Sequence, residues 1–421
     1  MKSFVNAPLF YTHSYVEQLI WKSQNLKDHL FSLQQKRVKK YKENESLSEI
    51  PIIQVIPSPK IVCYRNKTTF SIGYKEEKKI AVGFSTEKTK YLQNETQEVT
   101  EENIGDNPLV DETDLKARAL LIDWMRRNQD FPAYSKTSKF GLWRSVTIRK
   151  EMKGEKNLLL IFKVNPSFCE ERLMKSHLKD LWSFLEGESI SGVLLDNSND
   201  QSTVLSHRLE LVGGRNSLEY QICGMKIHCS AGSFFQVNLE AAELLYERIL
   251  KNLEEILEEE NARGKRVAVF DLFCGVGTLG VLIANKFPQI DVFSVDKEEG
   301  SIEDAKLNCK RNVREENLTL YCSDINSKDD QLFSFINPSK YDFTIAVLDP
   351  PRSGLTQYAI ERLMKPEMKL RHIQFVSCHQ QNFVHNAFRL CSKFNPTKSY
   401  LVDLFPQTKS YESLVSFERK N

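Results

Sequence analysis

The chain has 421 residues, 41% of them hydrophobic and 27% charged, with 58 basic against 56 acidic side chains for a net charge of +2. That length allows two domains with a core each, and the near-balanced charge excludes a chain that holds polyanions through bulk charge alone. No apolar run is long enough to cross a bilayer, and nine cysteines without a C-x-x-C pair indicate neither a disulfide framework nor a zinc ribbon.

The first twenty residues carry one Lys, no Arg, an acidic Glu17 and no continuous apolar stretch. They match neither a secretory signal nor an Arg-rich transit peptide, so a cytoplasmic or nuclear location is expected, with a mitochondrial one left open. Residues 14–42 then read as one helix, with Val16, Leu19, Ile20, Leu26, Leu30 and Leu33 spaced for an apolar stripe. The basic run Lys36, Arg37, Lys39, Lys40, Lys42 and the acidic run Glu254 to Glu260 read as solvated helix faces. Residues 1–50 are expected to form an N-terminal helical arm.

Pro51, Pro57 and Pro59 punctuate a connector, after which 61–64, 69–72 and 80–84 are predicted strands. The polar stretch 87–107 should be an exposed loop. Further strands are predicted at 143–149, 158–164 and 192–195, with a helix at 174–184 between them, so residues 51–235 form an α+β domain.

From Gln236 the pattern changes. Ala242, Leu245, Ile249, Leu253 and Ile256 lie on one helical stripe with Asn238 available as N-cap. Predicted strands at 267–273, 291–295, 343–348 and 372–376 then alternate with helix-length segments. Residues 236–421 therefore read as a doubly wound, Rossmann-like α/β domain, whose ligands bind at the strand C-terminal ends.

The segment from Val267 through Asp271, Phe273, Gly275, Gly277, Thr278 and Gly280 is a buried strand, a glycine turn and a helix start. Asp296 ends the next strand, where a carboxylate can accept hydrogen bonds from ribose hydroxyls, so the expected ligand is a nucleoside. Gly275-x-Gly277-x-x-Gly280 also matches a dinucleotide fingerprint, which keeps NAD open here. Asp271 before the turn favours a cationic ligand such as S-adenosylmethionine over a pyrophosphate.

Two further clusters lie at the same expected sheet edge, and a third lies near the C-terminus. Asp349-Pro350-Pro351-Arg352 leaves a buried strand rigidly, Ser377-Cys378 closes the next one, and Asp403 to Glu412 forms an aromatic, proline-bearing loop. Alone, Cys378 reads as a buried small hydrophobe and Glu412 as a surface acid. Together they offer a nucleophile and a general base, provided that Arg352 or a dipole keeps the thiol partly ionised.

The segments "YVEQLIWK", Tyr64-Arg65-Asn66-Lys67, Gly232 to Asn238, "DLFCGVGTLG", "DPPRSG", "VSC" and "DLFPQTKSYE", taken in this order, resemble the RNA uracil-5-methyltransferase family, its eukaryotic tRNA members above all. The resemblance implies an S-adenosylmethionine-dependent enzyme, tRNA (uracil-5-)-methyltransferase, that methylates C5 of the T-loop uridine of tRNA through a covalent cysteine–C6 adduct. By motif position it implies Cys378 as nucleophile and Glu412 as base, with Gln236, Phe273, Thr278, Asp296 and Asp349 on S-adenosylmethionine. Tyr64, Arg65, Lys67, Arg144 and Arg149 in the N-terminal domain, with Arg352, are expected to meet the RNA by stacking and phosphate contact; a solvated sheet surface would explain them as well.

The chain departs from the family at His379-Gln380, where Asn-Pro is common, and at Gln407 and Ser410, where histidines are common. It lacks the four-cysteine iron–sulfur motif of rRNA-modifying relatives, so no cluster and no metal are expected. The partner is tRNA, with rRNA as the second option, and a monomer is expected. The competing readings are a cytosine-5 RNA methyltransferase, which should carry a cysteine beside Pro350-Pro351, an NAD-dependent oxidoreductase, and a tRNA-binding or folding module without turnover.

Overall fold

The structure, a computed structural model, describes residues 10–420 except 11, 43–49, 76–78, 86–98, 101–103, 153–156, 199–204, 206–208, 314–315 and 330–335. The chain divides into two compact units. The first holds Val62–Gln221 and His228–Ser233, and the second holds His13–Ile61, Ile222–Ile227 and Phe234–Asn421.

The second unit opens with α1 (Tyr15–Tyr41), started by a capping box in which Ser14 and Glu17 each satisfy the other's backbone N–H. Its buried stripe is Gln18, Lys22, Leu26, Leu30, Leu33 and Arg37. The sequence expectation put Val16 and Ile20 inward, yet they are 65% and 63% exposed. The helix is turned so that its first two turns bury polar side chains, for which the Asp403–Gln407 loop supplies partners. β1 (Ile52–Ile56) follows and pairs in parallel with a C-terminal strand. Residues 52–61, assigned by sequence to the α+β domain, thus group with the second unit, as does the helical arm.

The first unit is a seven-stranded sheet built from β2 (Lys67–Lys75), β3 (Lys79–Ser85), β4 (Val99–Thr100), β5 (Trp143–Lys150), β6 (Leu158–Val164), β7 (Ile190–Asp196) and β8 (Glu210–Gly214), in the order β4-β3-β2-β5-β6-β7-β8. Two helices, α2 (Glu112–Arg127) and α3 (Glu171–Leu185), share its core through Leu121, Trp124, Met125, Leu178 and Leu181. α2 escaped the sequence reading because its apolar residues sit among seven charged ones, although Asp111 and Asp114 form a capping box at its start. The expected strand at 61–64 is absent, since Cys63 turns the backbone with φ +50. Most of the expected loop 87–107 lies outside the described residues, though Val99–Thr100 pairs with β3. β9 (Ser217–Ile222) and β10 (Met225–Ser230) form a two-residue hairpin whose turn residues Cys223 and Gly224 both have positive φ, matching the twist of the strands.

The rest of the second unit contains α4 (Leu239–Glu259), β11 (Val267–Leu272), α5 (Thr278–Lys286), β12 (Asp291–Asp296), α6 (Glu299–Asn312), β13 (Leu318–Cys322), β14 (Phe343–Leu348), α7 (Gln357–Met364), β15 (Leu370–Ser377), α8 (Gln380–Leu390), β16 (Phe394–Val402) and β17 (Glu412–Arg419). All five residues of the expected stripe on α4 are buried, and Asn238 accepts the Ala241 N–H as N-cap. The eight-stranded sheet runs β1-β16-β17-β15-β14-β11-β12-β13. β15, β14, β11, β12 and β13 are mutually parallel, whereas β17 lies antiparallel between β15 and β16. The chain runs outward from β11 to β13 on one side and from β14 to β15 on the other, so the order reverses between β11 and β14. A crevice opens at such a reversal, outside the strand C-terminal ends.

Candidate active site

Backbone geometry shapes one wall of the crevice. Phe273 leaves β11 with φ +69, and the N–H groups of Phe273 and Cys274 both donate to the Val295 carbonyl, which folds the loop over β12. Gly277, N-cap of α5, needs its left-handed φ of +79. Gly280 answers a different need: a Cβ there would sit 2.0 Å from Ser294 Oγ and 3.0 Å from Asp271 Oδ2. Its missing side chain lets α5 press onto β12.

The acids around this loop have distinct positions. Asp296 accepts the Gly275 N–H at 2.9 Å and the Glu298 N–H at 3.0 Å, and stays half-buried at the end of β12. Asp271 lies underneath, accepting the Ser294 hydroxyl at 2.9 Å, and burial pushes its carboxyl up to about 7. Such a group is only partly ionised near neutral pH, and it braces the loop from below. Phe273 is half-buried, and Thr278 and Gln236 are buried, at the α5 start and two residues before the α4 cap.

Sheet register builds the opposite wall. Asp349 directly follows β14, and Asn382 and Asn386 of α8 tie down the turn after it, the first donating to the Arg352 carbonyl and the second bonding both backbone groups of Leu355. Cys378 follows β15 and is half-buried. The β15–β17 ladder ends with Ser377 opposite Ser413, so the next antiparallel position faces Cys378 with Glu412. Ser413 locks this corner by donating to Gln380 Oε1, whose amide donates to the Ser377 carbonyl.

The electrostatics follow from that crowding. Burial and then the Asp349 charge hold Glu412 well above the usual carboxylate range, and its Oε2 is buried without a hydrogen-bond partner. Burial raises Asp349 to about 6. The Cys378 thiol is pushed up to about 12 by burial first, then by Glu412 and Asp349, while the exposed Arg352 pulls the other way without prevailing. Burial is thus the first obstacle to the ionisation expected of this thiol, with the two acids behind it and Arg352 opposing them.

Comparison with known proteins adds an independent line. A family model described as tRNA (Uracil-5-)-methyltransferase matches residues 215–420, which include every crevice residue named above. The match covers just under half of the chain, the C-terminal part that carries the crevice. An uncharacterized RNA methyltransferase of Caldanaerobacter subterraneus is 26% identical over 91% of this chain and 78% of its own length. A mouse tRNA (uracil-5-)-methyltransferase homolog A is 27% identical over 88% of this chain, which spans 59% of that protein. Among solved structures, the Pyrococcus abyssi tRNA (uracil-54, C5)-methyltransferase in complex with S-adenosyl-L-homocysteine shares the fold at a TM-score of 0.65 and 20% identity, covering 96% of this chain and 83% of that one.

The remaining candidates lie in the first unit and divide by burial. Tyr64 is 2% exposed, so its ring is core and cannot stack on a base. Arg149 is 3% exposed, and its guanidinium donates to the carbonyls of Ser230, Ala231 and Ser233. Both expectations of RNA contact are corrected. Arg65 is half-buried and donates to the Lys67 carbonyl. Arg144 lies over the Tyr134 ring at 4.5 Å, with Nε and Nη1 buried and unpartnered. The sequence reading missed the Gln18, Lys22 and Gln407 network of the second unit, although it quoted the segments that contain all three.

Proposed function

We propose that this chain methylates C5 of a uridine in RNA, with S-adenosylmethionine as donor, the T-loop uridine of tRNA as substrate and a transient Cys378–C6 bond as intermediate. The observation that carries the reading is the pairing of Cys378 with Glu412 across the end of one ladder, the carboxyl having a buried, unpartnered oxygen. The printed names of the mouse and Pyrococcus relatives support the substrate class.

The residues at the β11 and β12 ends fit the donor. Asp296 keeps lone pairs for ribose hydroxyls beyond the two N–H groups it accepts, Phe273 offers an aromatic face, Thr278 starts α5 and Asp349 follows β14, and Gln236 joins them on the strength of the family resemblance. When bound, the donor supplies an electrophilic methyl group.

Uracil C5 is too weak a nucleophile to take that methyl unaided. Addition of the Cys378 thiolate to C6 forms an S–C6 bond and moves the ring's electron pair towards C5 and O4, giving C5 enolate character. C5 then captures the methyl. Glu412, in its ionised form, removes the C5 proton, the C5–C6 double bond returns and the S–C6 bond breaks, which releases Cys378 as a thiolate. Burial opposes ionisation of both Cys378 and Glu412, so their protons pass to solvent as substrate enters, with Arg352 favouring the thiolate.

A uridine stacked in a folded loop must be extruded to reach Cys378, at about a few kcal/mol. RNA binding by the first unit provides that energy. Arg144, half-buried over the Tyr134 ring, and Lys67, lowered to about 8 by burial first and then by Arg149 and Arg65, are basic groups on adjacent strands of its sheet. Both are suited to phosphate.

The test is transfer of labelled methyl from S-adenosylmethionine to tRNA transcripts, parent against transcripts with the T-loop uridine replaced by cytidine. Label should appear as 5-methyluridine in the former alone. Equal labelling of both would refute the assigned position, and no labelling of any RNA would refute the activity.

A further inference from the structure

We infer that α1 is a positioning element of the active site, its Lys22 and Gln18 holding the Asp403–Tyr411 loop so that Glu412 enters β17 opposite Cys378. The inference rests on the reading of Glu412 as the base. Three residues of α1 fasten the loop, and Ile61 outside the helix adds one more bond. Lys22 Nζ lies 2.7 Å from Asp403 Oδ1, both side chains fully buried, and donates also to the Phe405 carbonyl at 3.0 Å. The Gln18 amide donates to Gln407 Oε1 and accepts the Gln407 N–H, each at 2.9 Å. The Gln407 amide reaches the Ile61 carbonyl. Tyr411, one residue before Glu412, donates to Asn25 Oδ1 at 2.9 Å.

Three of these anchors, Gln18, Lys22 and Asn25, recur on one face of α1 at helical spacing. They reach a segment more than 380 residues away in sequence, as the Lys22–Asp403 separation of 381 shows. Apolar side chains would seal such a face with less desolvation. Burial lowers Lys22 and raises Asp403, so each ion is held against its own solvation preference by the other. An ion pair fixes direction and register where apolar packing tolerates sliding. Gln407 supplies the same signature in the backbone: it is a non-glycine residue at φ +66, bonded through its N–H and both ends of its amide. The loop is thus over-determined over the stretch just before Glu412, and α1 supplies most of the determinants.

A loop held only for stability would leave the order of chemical steps untouched when loosened. Displacing Glu412 acts on one step, proton removal from C5, after methyl transfer and before release. The test compares Lys22→Met/Asp403→Leu, which removes both charges together, and Gln18→Ala, which keeps the ion pair, with Glu412→Gln and the parent. Turnover on tRNA, KM for tRNA, melting temperature and the amount of denaturant-stable protein–RNA adduct are measured.

The inference expects the double variant to lose roughly ten- to a hundredfold in kcat with KM little changed, and to accumulate methylated adduct as Glu412→Gln does. Gln18→Ala should show a smaller loss in the same sense, and Lys22→Arg should recover part of kcat. Folded variants with parental kcat and no adduct would overturn it, as would variants that lose activity only in proportion to lost folding. Glu412→Gln without adduct would instead refute the role of Glu412, independently of α1.

Discussion

Cys378 and Glu412 stand opposite each other one step beyond the Ser377–Ser413 pair of the β15–β17 ladder. Cys378 lies one step past the last pair of that ladder, so the register brings it towards Glu412, which the Asp403–Tyr411 loop delivers into β17. Addition to C6 and proton removal from C5 act on neighbouring ring atoms, which suits a pair so placed. Glu412→Gln retains size and hydrogen bonding but cannot accept the proton. We expect turnover to fall by about 10²- to 10⁴-fold and the methylated adduct to build up on denaturing gels.

The thiol's environment gives a second expectation. Since Glu412 and Asp349 both oppose ionisation of Cys378, the RNA-free protein should react slowly with iodoacetamide at that residue at pH 8. Asp349→Asn removes a carboxylate that is ionised above about 6 and should accelerate the reaction a fewfold, up to about tenfold for a tenfold change in acidity. Arg352→Ala should slow it. Peptide mass spectrometry of the alkylated protein reads both.

The glycine loop yields a third. In Gly280→Ala the new methyl would meet Ser294 Oγ at 2.0 Å, so α5 must lift from β12. Overpacking of this kind costs about 1–3 kcal/mol, visible as a lower midpoint in urea unfolding. Ser294→Ala in the same chain should recover part of it.

Asp271 gives a fourth, with a definite sign. Its folded-state carboxyl is raised to about 7 from a reference near 4. A raised group favours the folded state fully below its unfolded value, and that contribution is lost as pH rises through 7. The parent should therefore lose stability between pH 4 and pH 8, by up to ~4 kcal/mol from this group. Asp271→Asn should flatten that slope, and calorimetry at several pH values tests it.

Arg144 supplies a fifth. If its guanidinium meets phosphate, Arg144→Ala should weaken tRNA binding about equally across sequences and reduce the salt dependence by about one ion, with S-adenosylmethionine affinity unchanged. Filter binding at several salt concentrations measures this.

Much of the second unit was legible because its physics is local. Buried parallel strands read as continuous apolar runs, and Asn238 with its stripe announced α4. The glycine turn and the Asp-Pro-Pro motif marked strand ends, which in an alternating fold are also site edges. What escaped depended on distant partners. β17 lies antiparallel between β15 and β16, and nothing local in Glu412–Arg419 tells which strand it joins. Lys22 and Gln18 broke the apolar stripe, so the sequence favoured Val16 and Ile20. Only the partners at Asp403 and Gln407 explain the actual rotation. Tyr64 and Arg149 read as a binding surface because residue type carries no burial information when the other sheet face is unknown.

The most direct measurement is mass spectrometry of the protein after incubation with S-adenosylmethionine and a T-stem-loop RNA bearing 5-fluorouridine at the target position, where the C5 substituent cannot leave as a proton. The account predicts a denaturant-stable adduct whose RNA fragment, carrying one added methyl, is attached to the peptide containing Cys378, and none in Cys378→Ala. An adduct on another residue, or 5-methyluridine made from ordinary RNA by Cys378→Ala at the parent's rate, would contradict it.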